Sequence, residues 1–145
     1  MDIILFEPEI PPNTGNIARL AAGLSMPLHL IEPIGFSLSD KYLKRAGLDY
    51  WPYVDLHVWE DFASFKEAWR GGRLIGTSAK EGKNFTLYEP KADDGIIFGP
   101  ESKGLGKEFL EKLDLVLHIP TRREVRSLNL ATTVGFFMGV ALCRL

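Results

Sequence analysis

The stretch Pro11-Pro-Asn-Thr-Gly-Asn-Ile-Ala-Arg19 brings two amide side chains, Asn13 and Asn16, up to an arginine one turn inside a following helix. An arginine so placed can grip a phosphate bidentately or hold a substrate hydroxyl. An ordinary N-cap followed by a surface arginine would read the same way. A second stretch, Ile96-Ile-Phe-Gly-Pro-Glu-Ser-Lys-Gly-Leu105, ends a strand on Gly99, where the missing Cβ lets a ligand approach the backbone, and sets Glu101 beside it. A plain strand-to-helix turn is the structural alternative. A third, Ile119-Pro-Thr-Arg-Arg-Glu-Val-Arg-Ser-Leu-Asn-Leu-Ala131, carries Arg122, Arg123 and Arg126 in a loop, with Ser127 as the expected helix cap and Asn129 in the first turn. Capping accounts for Ser127 and leaves Asn129 without a structural reason in so apolar a helix.

Other chemistries find little footing. No Gly-x-Gly-x-x-Gly follows the first strand, and Gly99-Pro-Glu-Ser-Lys-Gly-Leu-Gly106 does not match a P-loop. His29, His57 and His118 fall within predicted strands, lack metal-ligand spacing and form no obvious pair, so they read as core or surface strand histidines and no metal is expected. The single cysteine, Cys143, can form no internal disulfide and reads as a buried small hydrophobe.

The elements that must position the three stretches alternate strand and helix, which predicts an α/β domain with a mainly parallel sheet flanked by helices. Strands are expected at Ile3–Phe6, Leu28–Ile31, Leu56–Trp59, Leu74–Thr77, Ile96–Phe98 and Leu115–Ile119. Helices are expected at Thr14–Leu24, capped by Asn13 or Thr14, at Asp40–Ala46, at Asp61–Trp69 and at Ser127–Arg144. Three late strands each run into a turn rich in Gly, Ser, Pro or Thr. Ligands of open parallel sheets sit beyond the carboxyl ends of strands, so these turns are candidates for one pocket. The last helix is apolar on most of its circumference and must be sandwiched in the core or shared with a second subunit.

With 145 residues, 46% of them hydrophobic and 25% charged, the chain fits one compact domain, residues 1–145. Its start is acidic where a signal peptide is basic, and no apolar run reaches the length of a membrane span, so a soluble cytoplasmic protein is expected. The net charge of −2 argues against a general polyanion binder. Two basic clusters, Lys41, Lys44 and Arg45 and then Arg122, Arg123 and Arg126, temper that argument.

Taken in order, Asn13-Thr-Gly-Asn-x-x-Arg19, Phe98-Gly-Pro-Glu-x-x-Gly-Leu105 and Ile119-Pro with Ser127-Leu-Asn-Leu-Ala131 resemble the three motifs of the SPOUT methyltransferases, in their RNA ribose 2′-O branch. Glu7-Pro-Glu-Ile-Pro-Pro-Asn-Thr-Gly-Asn16, Leu30-Ile-Glu-Pro-Ile-Gly-Phe36 and Arg45-Ala-Gly-Leu-Asp-Tyr50 further resemble the subgroup that methylates the wobble nucleotide, position 34, of certain leucine tRNAs. The resemblance implies a C-terminal deep trefoil knot, an exception to the rule that chains do not thread their own loops. It implies S-adenosyl-L-methionine as cofactor, held largely by backbone groups at Thr77, Gly99, Ile119, Ser127 and Leu128. It implies a homodimer through the terminal helix, and a site formed by Arg19, Asn16, Glu101, Ser127 and Asn129. Lys41, Lys44, Arg45, Arg122, Arg123 and Arg126 are then candidates to bind the tRNA. A ribosomal RNA target, another tRNA position, or a non-catalytic RNA-binding protein of the same fold remain the alternatives.

Overall fold

The computed structural model describes residues 1–39 and 50–145. The helix expected at Asp40–Ala46 and the cluster Lys41, Lys44 and Arg45 lie outside the described residues. In chain order the elements are β1 (Asp2–Phe6), α1 (Pro11–Leu24), β2 (Leu28–Ile31), β3 (Leu56–Trp59), α2 (Phe62–Ala68), β4 (Leu74–Ser78), β5 (Lys83–Asn84), β6 (Gly95–Phe98), α3 (Lys107–Leu110), β7 (Leu115–His118) and α4 (Leu130–Leu142). Short 3-10 turns stand at Trp51–Tyr53 and Phe85–Leu87.

The strands form one sheet in the order β3-β2-β1-β6-β4-β7-β5, and every pairing is parallel. The central strands are unbroken apolar runs, as a sheet covered on both faces requires. Ile3, Ile4 and Leu5 are all fully buried, and so are Ile96 and Ile97. Strand alternation then divides the core in two. Ile3, Leu5, Ile96 and Phe98 pack with Ile17 and Ala21 of α1 and Val134, Phe137 and Met138 of α4. Ile4 and Ile97 pack on the other face with Phe65 of α2 and Leu110 of α3.

The two long helices begin elsewhere than the sequence suggested. Helix α1 starts at Pro11, whose fixed φ suits a first helical position, and its N-cap is Ile10 with no side-chain cap. Asn13 and Thr14 are therefore buried inside the helix and cap nothing. Helix α4 starts at Leu130, and its cap is Asn129, whose Oδ1 accepts from the Thr132 amide at 3.2 Å. Ser127 lies in the preceding loop. Capping thus gives Asn129 the structural reason it had lacked. Only one face of α4 is covered: Leu130, Val134, Phe137, Met138 and Ala141 are buried, while Phe136 is 51% exposed and Leu142 45%.

Two smaller expectations also fail. Cys143 is exposed, at the C-cap of α4. His29 and His57 do pair, because the β2–β3 register sets them opposite each other and their rings stack at 4.9 Å. His29 is otherwise a core histidine, with Nε2 3.0 Å from Asp2 Oδ2 and Nδ1 accepting from Trp59 Nε1.

Candidate active site

Because the sheet is parallel throughout, β4, β6 and β7 present their carboxyl ends at one edge, and there a cleft of about 1260 Å³ opens. Its walls are the turns after those strands together with the first turn of α1 and the loop before α4. Thr77, Gly99, Glu101, Ile119, Ser127, Leu128 and Asn129 all line it, as do Arg122, Arg123 and Arg126. Asn16 and Arg19 do not; both are exposed on α1.

A single carboxylate organises three of these walls. Glu101 Oε2 accepts from the Glu9 amide at 2.9 Å, and its Oε1 accepts from the Ile10 amide at 3.2 Å and from Asn13 Nδ2 at 3.1 Å. It thereby fixes the chain just ahead of α1 from a distant loop, placing negative charge at the positive end of the helix. Asn13 passes the connection on, its Oδ1 accepting from Asn129 Nδ2 at 2.8 Å. The beginnings of α1 and α4 and the β6–α3 turn are so fastened together. A reciprocal clamp runs the other way: Glu9 accepts from the Ser102 amide at 2.7 Å and from its hydroxyl at 2.8 Å. These bonds, the hydroxyl's first, hold the Glu9 carboxyl below the ordinary glutamate value, with nearby Lys103 adding to the effect.

Several cleft residues serve the backbone. Thr77 is buried and spends its hydroxyl on Ile97 O at 3.0 Å, tying β4 to β6. Gly99 is needed by the chain itself: a Cβ there would stand 2.5 Å from Gly104 C and Leu105 N. That close approach is made by the chain's own following turn, on a residue that also lines the cleft. At the end of β7, His118 Nδ1 is enclosed and has no hydrogen-bond partner among the described residues. The wall is basic, with Lys80, Lys103, Lys107, Arg122, Arg123 and Arg126 against Glu81 and Glu101. The net charge of the chain concealed this.

The linking role of Asn13 and the presence of Lys80, Lys103 and Lys107 in the wall do not follow from the sequence. Two asparagines three residues apart in one motif cannot be told apart until the start of the helix is known. The lysines belong to separate turns that only the fold brings together.

The sequence profile of the SpoU rRNA methylase family matches residues 1–139. The chain belongs to that family. Among curated proteins, this SpoU-family chain is 44% identical over 140 residues to the tRNA (cytidine(34)-2′-O)-methyltransferase of Aeromonas hydrophila subsp. hydrophila, covering 95% of this chain and 90% of that protein. A solved structure concerned with 2-OH methylation of C/U34 on tRNA shares 48% identity at a TM-score of 0.94, covering 99% of this chain and 94% of the other. The fold reaches further, to the SpoU methyltransferase AviRb of Streptomyces viridochromogenes in complex with AdoMet, at 18% identity and a TM-score of 0.86. That match covers 99% of this chain and 59% of the other.

Proposed function

We propose that this SpoU-family enzyme transfers a methyl group from S-adenosyl-L-methionine to the ribose 2′-hydroxyl of nucleotide 34, cytidine or a modified uridine, in tRNA, with leucine isoacceptors as its substrates. The observation that carries the reading is the cleft at the carboxyl edge, whose walls are the three motif segments joined through Glu101, Asn13 and Asn129.

The cleft suits the cofactor. At about 1260 Å³ it exceeds the roughly 300–1,000 Å³ usual for small-molecule sites. The unpartnered His118 Nδ1 offers a buried polar contact to a ligand there. Backbone groups at Thr77, Gly99, Ile119, Ser127 and Leu128 would hold it. When bound, its sulfonium supplies an activated methyl and a good leaving group.

The protein contributes position and charge. A ribose hydroxyl is a poor nucleophile at neutral pH, so it must be held in line for transfer. Arg19 stands outside the cleft wall and in this reading acts from the substrate side, holding the hydroxyl or an adjoining phosphate. It is not assigned as the base, because a guanidinium stays protonated. Asn16 supports it on α1, while Glu101, Ser127 and Asn129 order the cleft. Arg122, Arg123 and Arg126, together with Lys41, Lys44 and Arg45, grip the RNA backbone.

We infer, too, a homodimer through α4 and a trefoil knot. The uncovered face of α4, with Phe136 and Leu142 exposed, supports the first. The strand order, in which β4 lies between the later strands β6 and β7, supports the second. Among the described residues no helix is long and apolar enough to cross a membrane, and a tRNA substrate agrees with a cytoplasmic location.

Mapping 2′-O-methyl groups on tRNA treated with the purified protein and cofactor tests the reading. Methylation of position 34, greatly slowed in Arg19→Ala, is expected. An unmethylated position 34 beside a methylated site elsewhere would move the target to another tRNA position or to ribosomal RNA.

A further inference from the structure

We propose that Tyr50 is a positioning residue for Arg19, holding its guanidinium ready for the substrate; the inference rests on the role proposed above for Arg19. Arg19 Cζ lies over the Tyr50 ring, 4.6 Å from its centroid, and Arg19 Nη2 donates to the Tyr50 hydroxyl at 3.3 Å. The two residues are 31 positions apart, so the contact belongs to the fold.

Tyr50 is well placed to do this. It leads into the 3-10 turn Trp51–Tyr53, which packs against α1, and its carbonyl accepts from the Tyr53 amide at 2.9 Å. Trp51 and Val54 anchor that turn on the core. The backbone carrying the ring is thus fixed, while the ring itself is 37% exposed.

The chemistry of the partner matters. An exposed arginine samples many rotamers, and catalysis by position requires one of them. A carboxylate would orient the guanidinium but neutralise it. The face of an aromatic ring attracts the cation through its quadrupole and leaves the charge in place for a phosphate or hydroxyl. One hydrogen bond from Nη2 sets the rotation of the fork, and Nε and Nη1 remain to donate. Stacking and the hydroxyl contact together specify where those donors point.

Steady-state methylation of tRNA with Tyr50→Leu, Tyr50→Phe, Arg19→Ala and the double variant Arg19→Ala/Tyr50→Leu tests this, alongside cofactor titration and thermal unfolding. Tyr50→Leu is expected to lower kcat about ten- to a hundredfold, the cost of a misaligned group, with KM for tRNA, cofactor affinity and unfolding temperature nearly unchanged. Tyr50→Phe keeps the stack and is expected to stay within about threefold of the parent. The double variant is expected to be no slower than Arg19→Ala alone, because the tyrosine acts only through the arginine. Three results overturn the proposal: an unchanged rate in Tyr50→Leu, a loss confined to KM, or additive losses in the double variant. Tyr50→Ser carries the same expectations should Tyr50→Leu not fold. Full activity in Arg19→Ala would instead overturn the role of Arg19, whatever the tyrosine variants do.

Discussion

Asn129 donates from Nδ2 to Asn13 Oδ1 at 2.8 Å, across 116 residues of chain, and Asn13 in turn donates to Glu101. The orientation of the Asn13 amide follows, since an ionised carboxylate only accepts and its amide nitrogen must face Glu101. Asn13→Ala leaves Glu101 and Asn129 each one bond short, and is expected to cost about 1–3 kcal/mol. Asn13→Asp should cost more, because it sets a second carboxylate against the first. Thermal unfolding of both variants, with cofactor titration, checks the order; a parent-like Asn13→Asp protein would refute the connection.

The Glu9–Ser102 clamp should weaken in acid. The folded state holds the Glu9 carboxyl below its ordinary value of 4.5, through the Ser102 hydroxyl first and its amide second. A depressed carboxylate contributes stability that is fully present above the unfolded value and is lost as pH falls through the folded one. Glu9→Gln retains an acceptor for Ser102 but no charge. The stability gap between parent and Glu9→Gln, measured by denaturant unfolding from about pH 7 to pH 3, should close as pH falls. A gap that widens toward acid would contradict the assignment.

Gly99 and Gly106 offer a matched pair. A Cβ on Gly99 would meet the main chain of Gly104 and Leu105 at 2.5 Å, and backbone cannot turn aside as a side chain can. Gly99→Ala is expected to cost about 2 kcal/mol or more and to weaken cofactor binding at least about tenfold by displacing the turn. A Cβ on Gly106 meets nothing within 4 Å, so Gly106→Ala should behave as the parent does. Calorimetric titration distinguishes the two.

At the opposite edge of the sheet, the fully buried Asp94 accepts from Arg73 Nε and Nη2, from the Tyr88 hydroxyl at 2.6 Å and from the Lys91 amide. Burial pushes its carboxyl up, yet the bonds from Arg73, Tyr88 and Lys91 prevail and hold it below the ordinary aspartate value. The Tyr88 phenol is raised, by burial first and by Asp94 second. Asp94→Ala is expected to destabilise by about 3 kcal/mol, since it strands the arginine and the phenol, and Tyr88→Phe by about 1 kcal/mol. Cofactor affinity should be unchanged in both, because this network lies away from the cleft. A selective loss of cofactor affinity would show that the two edges communicate.

Much of this was legible in the residues, and what was not has particular causes. Six strands could be read because each is an apolar run closed by turn residues. Lys83–Asn84 could not, since a two-residue strand has no period and exists only by pairing with β7. The start of α1 differs from the local reading because the helix opens on Pro11 with no side-chain cap, and the residues ahead of it are held by Glu101, some ninety residues on, which no local signal announces. The start of α4 was misread because Ser127 and Asn129 are both good caps, and tertiary bonding to Asn13 decided between them. Glu101 and Asn129 stand out by residue type and motif, and the hub they form through Asn13 is what sequence order does not reveal.

The hub and the arginine loop divide the cleft unequally. Glu101 and Asn129 are joined through Asn13, whereas the side chains of Arg122, Arg123 and Arg126 stand exposed and make no hydrogen bond or ion pair among the described residues. A substitution in the hub is felt in three loops at once; one in the arginine loop is felt only by what docks there. The side chains at 122–126 can therefore be altered without loosening the bonds that hold the walls, whereas any change in the hub reaches all three of them.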